Sequence, residues 1–357
     1  MNIAVVGLHF GAEFVPIYGN HPDVGRVGVC DLDPRLMAEV ADRHRVVDRF
    51  ESLDQVLADD RYDAVHLFTP VPLHAEQAVS VLTVGKHCAC AVPMATSLED
   101  LNLIVDAQRA SGKNYMLMET ARYDRAFLYL AGMLERGALG ELTFLSGHYF
   151  QDLEGAFPTY WRAVPPMHYA THSLSPLLAL AKTRATAVTC LGSGRLRPDI
   201  QQPGGNTFPL QCALFKLEGT DVAVQLTRSW FQIARHTTEA YSVYGDLRSF
   251  EWQQVENEEP VLFTMGAVKP GERGRPVSTE RVDIPYRPDL YPPELAEFMT
   301  GWHGGSHPHL AHEFVRSIVE DRPPVINAAT AANWTAAGIC AHDSAVLEGA
   351  LVTIPGF

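Results

Sequence analysis

The stretch VVGLHFGAEF, residues 5–14, ends an apolar run at Gly7 and opens a helix-like segment at Gly11. Glycine at those two points lets the backbone turn sharply and leaves amide N–H groups facing an anion at a helix N-terminus. The spacing of a three-glycine dinucleotide loop falls here on Gly7, His9 and Ala12. Only the first is glycine; Ala12 is an accepted substitute, and His9 with Phe10 stands where a glycine would let a phosphate approach closely. Asp31 follows about 20 residues after the loop, at the end of the next apolar run, where a carboxylate accepts hydrogen bonds from the adenosine ribose diol. Such a carboxylate repels a 2′-phosphate, so the residues favour NAD over NADP.

Other residues invite chemistry with less force. His168 and His172 lie four apart in MHYATHSLSPLLALA, a spacing that places both on one face of a helix. Pro176, four after His172, cannot donate to the His172 carbonyl, so a helix here is expected to kink or to start near Ser175. Cys88 and Cys90 in GKHCACAVPMAT share one side of a strand, and a single intervening residue is too short for a CxxC metal knuckle. Core packing is the expected role of both. WHGGSHPHLAHEF sets His303, His307, His309 and His312 near Glu313, but Pro308 suits the first turn of a helix and the glycines suit a loop, so a helix start is expected and no metal is assigned. Arg228 and Arg235 lie on or beside a strand-like run from which they could reach a substrate, although a solvent-facing or salt-bridged arginine is the ordinary expectation. Asn333-Trp-Thr is a formal glycosylation sequon without meaning in a cytoplasmic protein.

The elements that must hold these residues follow from the periodicity. The 357 residues are 46% hydrophobic and 20% charged, enough for a sizeable core and for two domains. The formal net charge of −14, without a basic run, argues against nucleic acid and anionic membranes and for a small-molecule partner. No basic leader or long apolar span is evident, and the six scattered cysteines predict reduced, buried thiols in a cytoplasmic protein. In the first third, NIAVVG, VGRVGVCDLD, YDAVHLFTP, KHCACAVP and NYMLMET alternate with helices over FGAEFVPIYGN, Pro34–His44, Leu73–Val84 and Ser97–Ser111. This is the rhythm of a doubly wound parallel sheet, an α/β Rossmann domain assigned to residues 1–121. From 122 to 357 a helix, AFLYLAGMLERGALG, leads into longer alternating runs that predict an α+β domain with a large, mostly antiparallel open sheet. A loop is expected over Pro260–Pro293, followed by helices over 308–320 and 328–348.

With those elements in place, the N-terminal strand and Gly loop, TPVPLHAEQA at 69–78, GKHCACAVPMA, ELTFLSGHY and the C-terminal SAVLEGALVTIPGF resemble the Gfo/Idh/MocA family of sugar and cyclitol oxidoreductases. The resemblance implies NAD contacts at Thr69, Pro70, His74, Pro93 and Glu119 as well as the Gly loop. It further implies a nicotinamide between the two domains and a homo-oligomer, dimer or tetramer, built on the open sheet. Members usually carry Glu-Lys-Pro where this chain has Ala91-Val92-Pro93, so the substrate-polarising lysine is replaced by Val92. They also carry Asp and His four apart; here His172 keeps the acid/base position and His168 replaces the aspartate. METARY, Met118–Tyr123, and YATHSLSP, Tyr169–Pro176, are similar to segments of the NAD-dependent α-N-acetylgalactosaminidase branch of glycoside hydrolases, which carries Val-Pro in the same place. That likeness makes Glu119, Tyr123, Tyr169 and His172 functional or site-lining positions, although Ala91 replaces an acidic residue of the branch.

Three readings follow from the resemblance. Oxidising a secondary hydroxyl needs a base, for which His172, with an ordinary pKa near ~6.5, is suited, assisted by Tyr123, Tyr169 and His168. In the loop QDLEGAFPTYWRAVPP, Tyr160 and Trp161 can stack on a sugar face and Arg162 can bind hydroxyls or a carboxylate. A redox-neutral glycosidase would oxidise C3, eliminate across C2, add water and reduce again. A non-catalytic NAD- or sugar-sensing protein is the third, and it has no use for an acid/base histidine.

Overall fold

The computed structural model describes residues 1–155, 157–203, 205–299 and 303–357. Residue 156 of the aromatic loop and Trp302 of the histidine-rich stretch lie outside them. The chain forms two compact units: Met1–Arg125 with Tyr286–Thr335 and Phe357, and Ala126–Pro285 with Ala336–Gly356.

In the first unit six strands run parallel: β1 (Asn2–Val6), β2 (Arg26–Cys30), β3 (Asp48–Phe50), β4 (Ala64–Leu67), β5 (His87–Cys90) and β6 (Tyr115–Leu117). Their order is β3-β2-β1-β4-β5-β6, the doubly wound arrangement with its reversal between β1 and β4. The helices are α1 (Leu8–Gly11), α2 (Phe14–Asn20), α3 (Pro34–His44), α4 (Leu53–Leu57), α5 (His74–Thr83) and α6 (Leu98–Ser111). Local chemistry sets their ends. The Asp33 carboxylate accepts the N–H groups of Arg35 and Leu36 ahead of Pro34, and Ser97 accepts that of Asp100, while Gly112 closes α6 in the left-handed conformation. The single helix expected over FGAEFVPIYGN is instead two, α1 and α2, separated at Ala12-Glu13. Strand β3 was not expected; it is a three-residue edge strand, too short to show a period.

The segment 286–335 returns to this first unit rather than following residues 122–285. Its helix α9 (His307–Val319) packs on α2: His312 Nδ1 and His21 Nε2 are 3.0 Å apart, and the His307 ring lies 4.8 Å from that of Phe14. Asn114, just before β6, donates to Ser317 and to the Arg322 carbonyl.

The second unit is a nine-stranded sheet with the order β14-β13-β12-β11-β7-β10-β9-β8-β15. Helix α7 (Arg125–Glu135) precedes β7 (Leu142–Phe150); α8 (Thr171–Ala181) precedes β8 (Ala185–Ser193), β9 (Leu210–Leu217), β10 (Ala223–Ser229), β11 (Thr238–Gly245) and β12 (Arg248–Glu251). The loop expected over Pro260–Pro293 contains a hairpin, β13 (Val261–Met265) and β14 (Val277–Arg281). Every residue of β14 is exposed, so no buried face writes an alternation into its sequence. All pairs are antiparallel except β7 with β10. Helix α10 (Ala328–Val346) and β15 (Val352–Thr353), paired with β8, end the chain. No helix among the described residues is long and apolar enough to cross a membrane.

Helix α8 lies on the sheet because Gly147 of β7 has no side chain: a Cβ there would stand 2.8 Å from the Ser173 carbonyl oxygen. The helix starts at Thr171 and continues through Pro176, so of the two expectations, a kink or a start near Ser175, the second does not hold. Burial of nearly its whole length compensates the backbone bond that proline removes. Gly338 of α10 approaches still closer, since a Cβ would fall 2.1 Å from the Met167 carbonyl oxygen. Gly338→Ala is therefore expected to destabilise the fold by roughly 1–3 kcal/mol, because one backbone must move. Urea unfolding of the two proteins checks this; an unchanged midpoint would contradict the close approach.

Candidate active site

The residues assigned to NAD lie at the carboxyl ends of β1, β2, β4, β5 and β6. Gly7 leaves β1 at φ +89°, and a Cβ would stand 2.7 Å from the Phe68 carbonyl oxygen, so only glycine makes this turn unstrained. Its N–H donates to the Cys30 carbonyl at 2.9 Å, tying the turn to the end of β2. Asp31 accepts the Leu8 N–H at 2.7 Å through Oδ2 and the Asp33 N–H at 2.8 Å through Oδ1. Each oxygen keeps a second lone pair for a ribose hydroxyl. The N–H groups of His9 and Phe10 have no acceptor among the described residues, which suits a pyrophosphate. Both side chains are exposed, and Gly11 packs where a Cβ would meet the Phe68 ring at 2.7 Å. The donor set thus fits a dinucleotide. Asp31→Ala is expected to weaken NAD binding about 10–100-fold, the loss of hydrogen bonds to a charged group worth roughly 1.5–3 kcal/mol. Calorimetric titration with NAD measures it, and an unchanged affinity would remove Asp31 from the ribose.

Further along the same edge, Thr69 pairs with Gln77 through their side chains and Pro70 leads into α5. His74, at the start of α5 and fully buried, places Nδ1 2.7 Å from the Pro93 carbonyl oxygen and Nε2 2.8 Å from that of Thr69. Burial pulls its pKa down, but Cys90 and the two carbonyls outweigh that and raise it to about 9. Val92 is buried and Pro93 follows it through a cis peptide bond. Cys88 and Cys90 are wholly buried in β5, as packing requires, whereas Cys212 is exposed, against the expectation that all six thiols are buried. Glu119 is buried and accepts the Ala121 N–H at 3.1 Å.

Tyr123 also belongs to the first unit. Its ring stacks on His309 at 5.8 Å with the Arg122 guanidinium 5.4 Å from its centre, and burial pushes its phenol above the usual range. The four C-terminal histidines turn to different partners: His307 to Glu13 at 3.2 Å, His309 to Tyr123 and Tyr291, His312 to His21, and His303 to the Phe10 ring.

In the second unit His172 sits in the first turn of α8, buried, with Nδ1 3.9 Å from Glu239. Its ring meets Tyr169 edge-on at 4.8 Å and Tyr149 at 5.6 Å. The aromatic loop joins this group: Trp161 lies 5.3 Å from Tyr169 and 5.1 Å from Trp230, and Tyr160 stacks on Trp161 at 5.2 Å. Arg162 ends the same 3₁₀ turn, Thr159–Arg162, half-exposed. His168 goes elsewhere. It occupies a separate 3₁₀ turn, Pro166–Tyr169, so the helical spacing with His172 does not put both on one face; its ring meets His342 of α10 at 5.3 Å, and burial lowers its pKa to about 3.

Tyr149 and Glu239 of this group escaped the sequence reading, and the surroundings of Arg228 differ from the ordinary expectation. Tyr149 of β7 pairs with Arg228 of β10 on one side and Glu239 of β11 on the other, a single row across three strands. Arg228 is buried, not solvent-facing. Its position two and four residues after Leu226 and Val224, on the buried face of β10, was a usable signal.

The fold and its site define a class: a dinucleotide-binding Rossmann domain joined to an α+β domain with a large sheet. Residues 1–119, a third of the chain, match the Gfo/Idh/MocA family model, described as the oxidoreductase family with an NAD-binding Rossmann fold. A glycosyl hydrolase family 109 protein of Shewanella baltica strain OS155 is 32% identical in an alignment 137 positions long that covers 35% of this chain and only 30% of that protein. Levoglucosan dehydrogenase, solved with NADH and levoglucosan, superposes with a TM-score of 0.80 at 22% identity over 99% of each chain. UDP-N-acetylglucosamine 3-dehydrogenase of Acidithiobacillus ferrooxidans gives 0.72 at 20% identity over 96% of this chain and 97% of that one. At such identities these solved structures establish a common fold.

Proposed function

We propose that this protein is an NAD-dependent oxidoreductase acting at a secondary hydroxyl of a sugar or cyclitol, with His172 as the acid/base. The observation that carries this reading is the buried His172 imidazole held against Glu239 and Tyr169, beside the stacked rings of Tyr160 and Trp161. NAD, when bound, supplies the hydride acceptor. Gly7, His9, Phe10 and Asp31 hold its phosphates and ribose, and Thr69, Pro70, His74, Pro93 and Glu119 line the approach to its nicotinamide. Tyr160 and Trp161 offer apolar faces to a pyranose ring, and Arg162 offers donors to its hydroxyls. His172 takes the hydroxyl proton as the carbon loses hydride, and the Glu239 carboxylate stabilises the imidazolium that results. Tyr169 relays or donates a hydrogen bond to the same oxygen. NADH formation at 340 nm, over a panel of monosaccharides and cyclitols, tests the reading. Failure of every member to reduce NAD would count against net oxidation.

A second reading, redox-neutral glycoside cleavage, is supported by the glycosyl hydrolase family 109 relative and by the METARY and YATHSLSP segments. Oxidation at C3 acidifies the C2 proton, so elimination, water addition and re-reduction release the aglycone. Such an enzyme frees p-nitrophenol from a p-nitrophenyl glycoside without accumulating NADH and exchanges the C2 proton in deuterated water. A sensor would do neither. The carbohydrate class, the homo-oligomer and the cytoplasmic setting belong to the same proposal.

A further inference from the structure

Arg228 is a buried cation without an ion pair among the described residues. Its Nη1 donates to the carbonyls of Tyr149, at 3.1 Å, and Ser229, and Nη2 donates to Gln151 Oε1 at 3.2 Å. Nε is buried and has no partner. The guanidinium carbon lies 3.9 Å from the Tyr149 ring centre, 3.8 Å from that of Trp230 and 5.8 Å from that of Tyr169. Carbonyls and π-faces solvate the charge but do not cancel it, so its field acts on whatever titrates nearby. Within this unit those groups are Tyr149 on β7, Glu239 on β11, and Tyr169 and His172 at the start of α8.

We propose that Arg228 is a positioning residue for proton transfer, whose fixed positive charge biases His172 toward the neutral imidazole and Tyr169 toward the phenolate. The inference rests on the reading above, in which His172 is the base. The Glu239 carboxylate favours the imidazolium; Arg228, on the other side of Tyr149, opposes it. The two charges flanking Tyr149 thus act in opposite senses on the pair His172–Tyr169, in a chain whose Ala91-Val92-Pro93 segment carries no lysine.

The test is the titration of His172, followed by ¹H–¹⁵N NMR of histidine-labelled full-length protein and assigned by the signal that His172→Asn removes. Arg228→Met, which keeps the stem and loses the charge, is expected to raise the His172 midpoint by roughly one pH unit, and Arg228→Lys to restore most of it. The acid limb of kcat/KM, measured on the best sugar or p-nitrophenyl glycoside of the panels above, should move with it. A folded Arg228→Met protein with an unmoved His172 midpoint overturns the inference. Should that variant not fold, Arg228→Gln, a neutral side chain that can still donate to the Tyr149 and Ser229 carbonyls, takes its place with the same expected rise, and an unmoved midpoint overturns the inference. A midpoint that moves while the pH–rate profile stays put upholds the charge on Arg228 and instead removes His172 as the base.

Discussion

His172→Ala is expected to lower kcat by about 10²–10⁴-fold while leaving NAD affinity within about twofold. The asymmetry follows from where the residues belong. Every group assigned to the phosphates and ribose lies in the first compact unit, at the ends of β1 and β2, whereas His172 lies in the second, against Glu239 and Tyr169. Removing the imidazole takes away the proton acceptor and leaves the Glu239 carboxylate without the cation it stabilises. Stopped-flow or steady-state rates with NADH formation or p-nitrophenol release as readout, beside calorimetric NAD titration, separate the two effects. Turnover unchanged by the substitution would sink both enzymatic readings, since each needs a base at the oxidised carbon.

The pH dependence of stability is expected to carry the signature of His74. Both ring nitrogens face carbonyl oxygens, which cannot donate, so both must carry protons and the native state holds an imidazolium. A group whose folded pKa, about 9, exceeds its unfolded value, near ~6.5, stabilises the fold fully below the unfolded value. That stabilisation, on the order of 3 kcal/mol, is lost as pH rises through about 9. Urea unfolding at pH 6.5 and pH 9.5 should therefore show a drop in the wild type that is largely absent from His74→Gln. Equal drops in the two proteins would mean that His74 is neutral and one of its carbonyl contacts is not a hydrogen bond. Because His74 joins the loops after β4 and β5, the same loss should weaken NAD binding at high pH.

The NAD-binding half was legible because its signals are local. A glycine that must adopt a positive φ, an aspartate one strand later, caps at Asp33 and Ser97, and apolar strands of four or five residues each act within a dozen positions of chain. The same locality explains the omissions. Strand β3 is too short to show a period, and β14 is exposed along its whole length, so neither writes a buried face into its residues. The return of 286–335 to the first unit depends on pairs such as His21 with His312, 291 residues apart, which no local pattern encodes.

Around His172 the division falls between single residues. His172, Tyr169, Tyr160 and Trp161, singled out from the sequence, are brought together by the structure, their segment lying within a few turns. It misjudged His168, because four-residue spacing implies one face only inside one helix, and the chain changes from a 3₁₀ turn to α8 between the two histidines. Arg228 and Glu239 reach His172 only through strand register: Tyr149 is the common partner, and Arg228 is 79 residues from it along the chain. Period-2 alternation determined that Arg228 faces inward with Val224 and Leu226. The tertiary structure decided what it meets there, because the parallel pairing of β10 with β7 and the seating of α8 over Gly147 bring a guanidinium, a carboxylate and an imidazole around Tyr149.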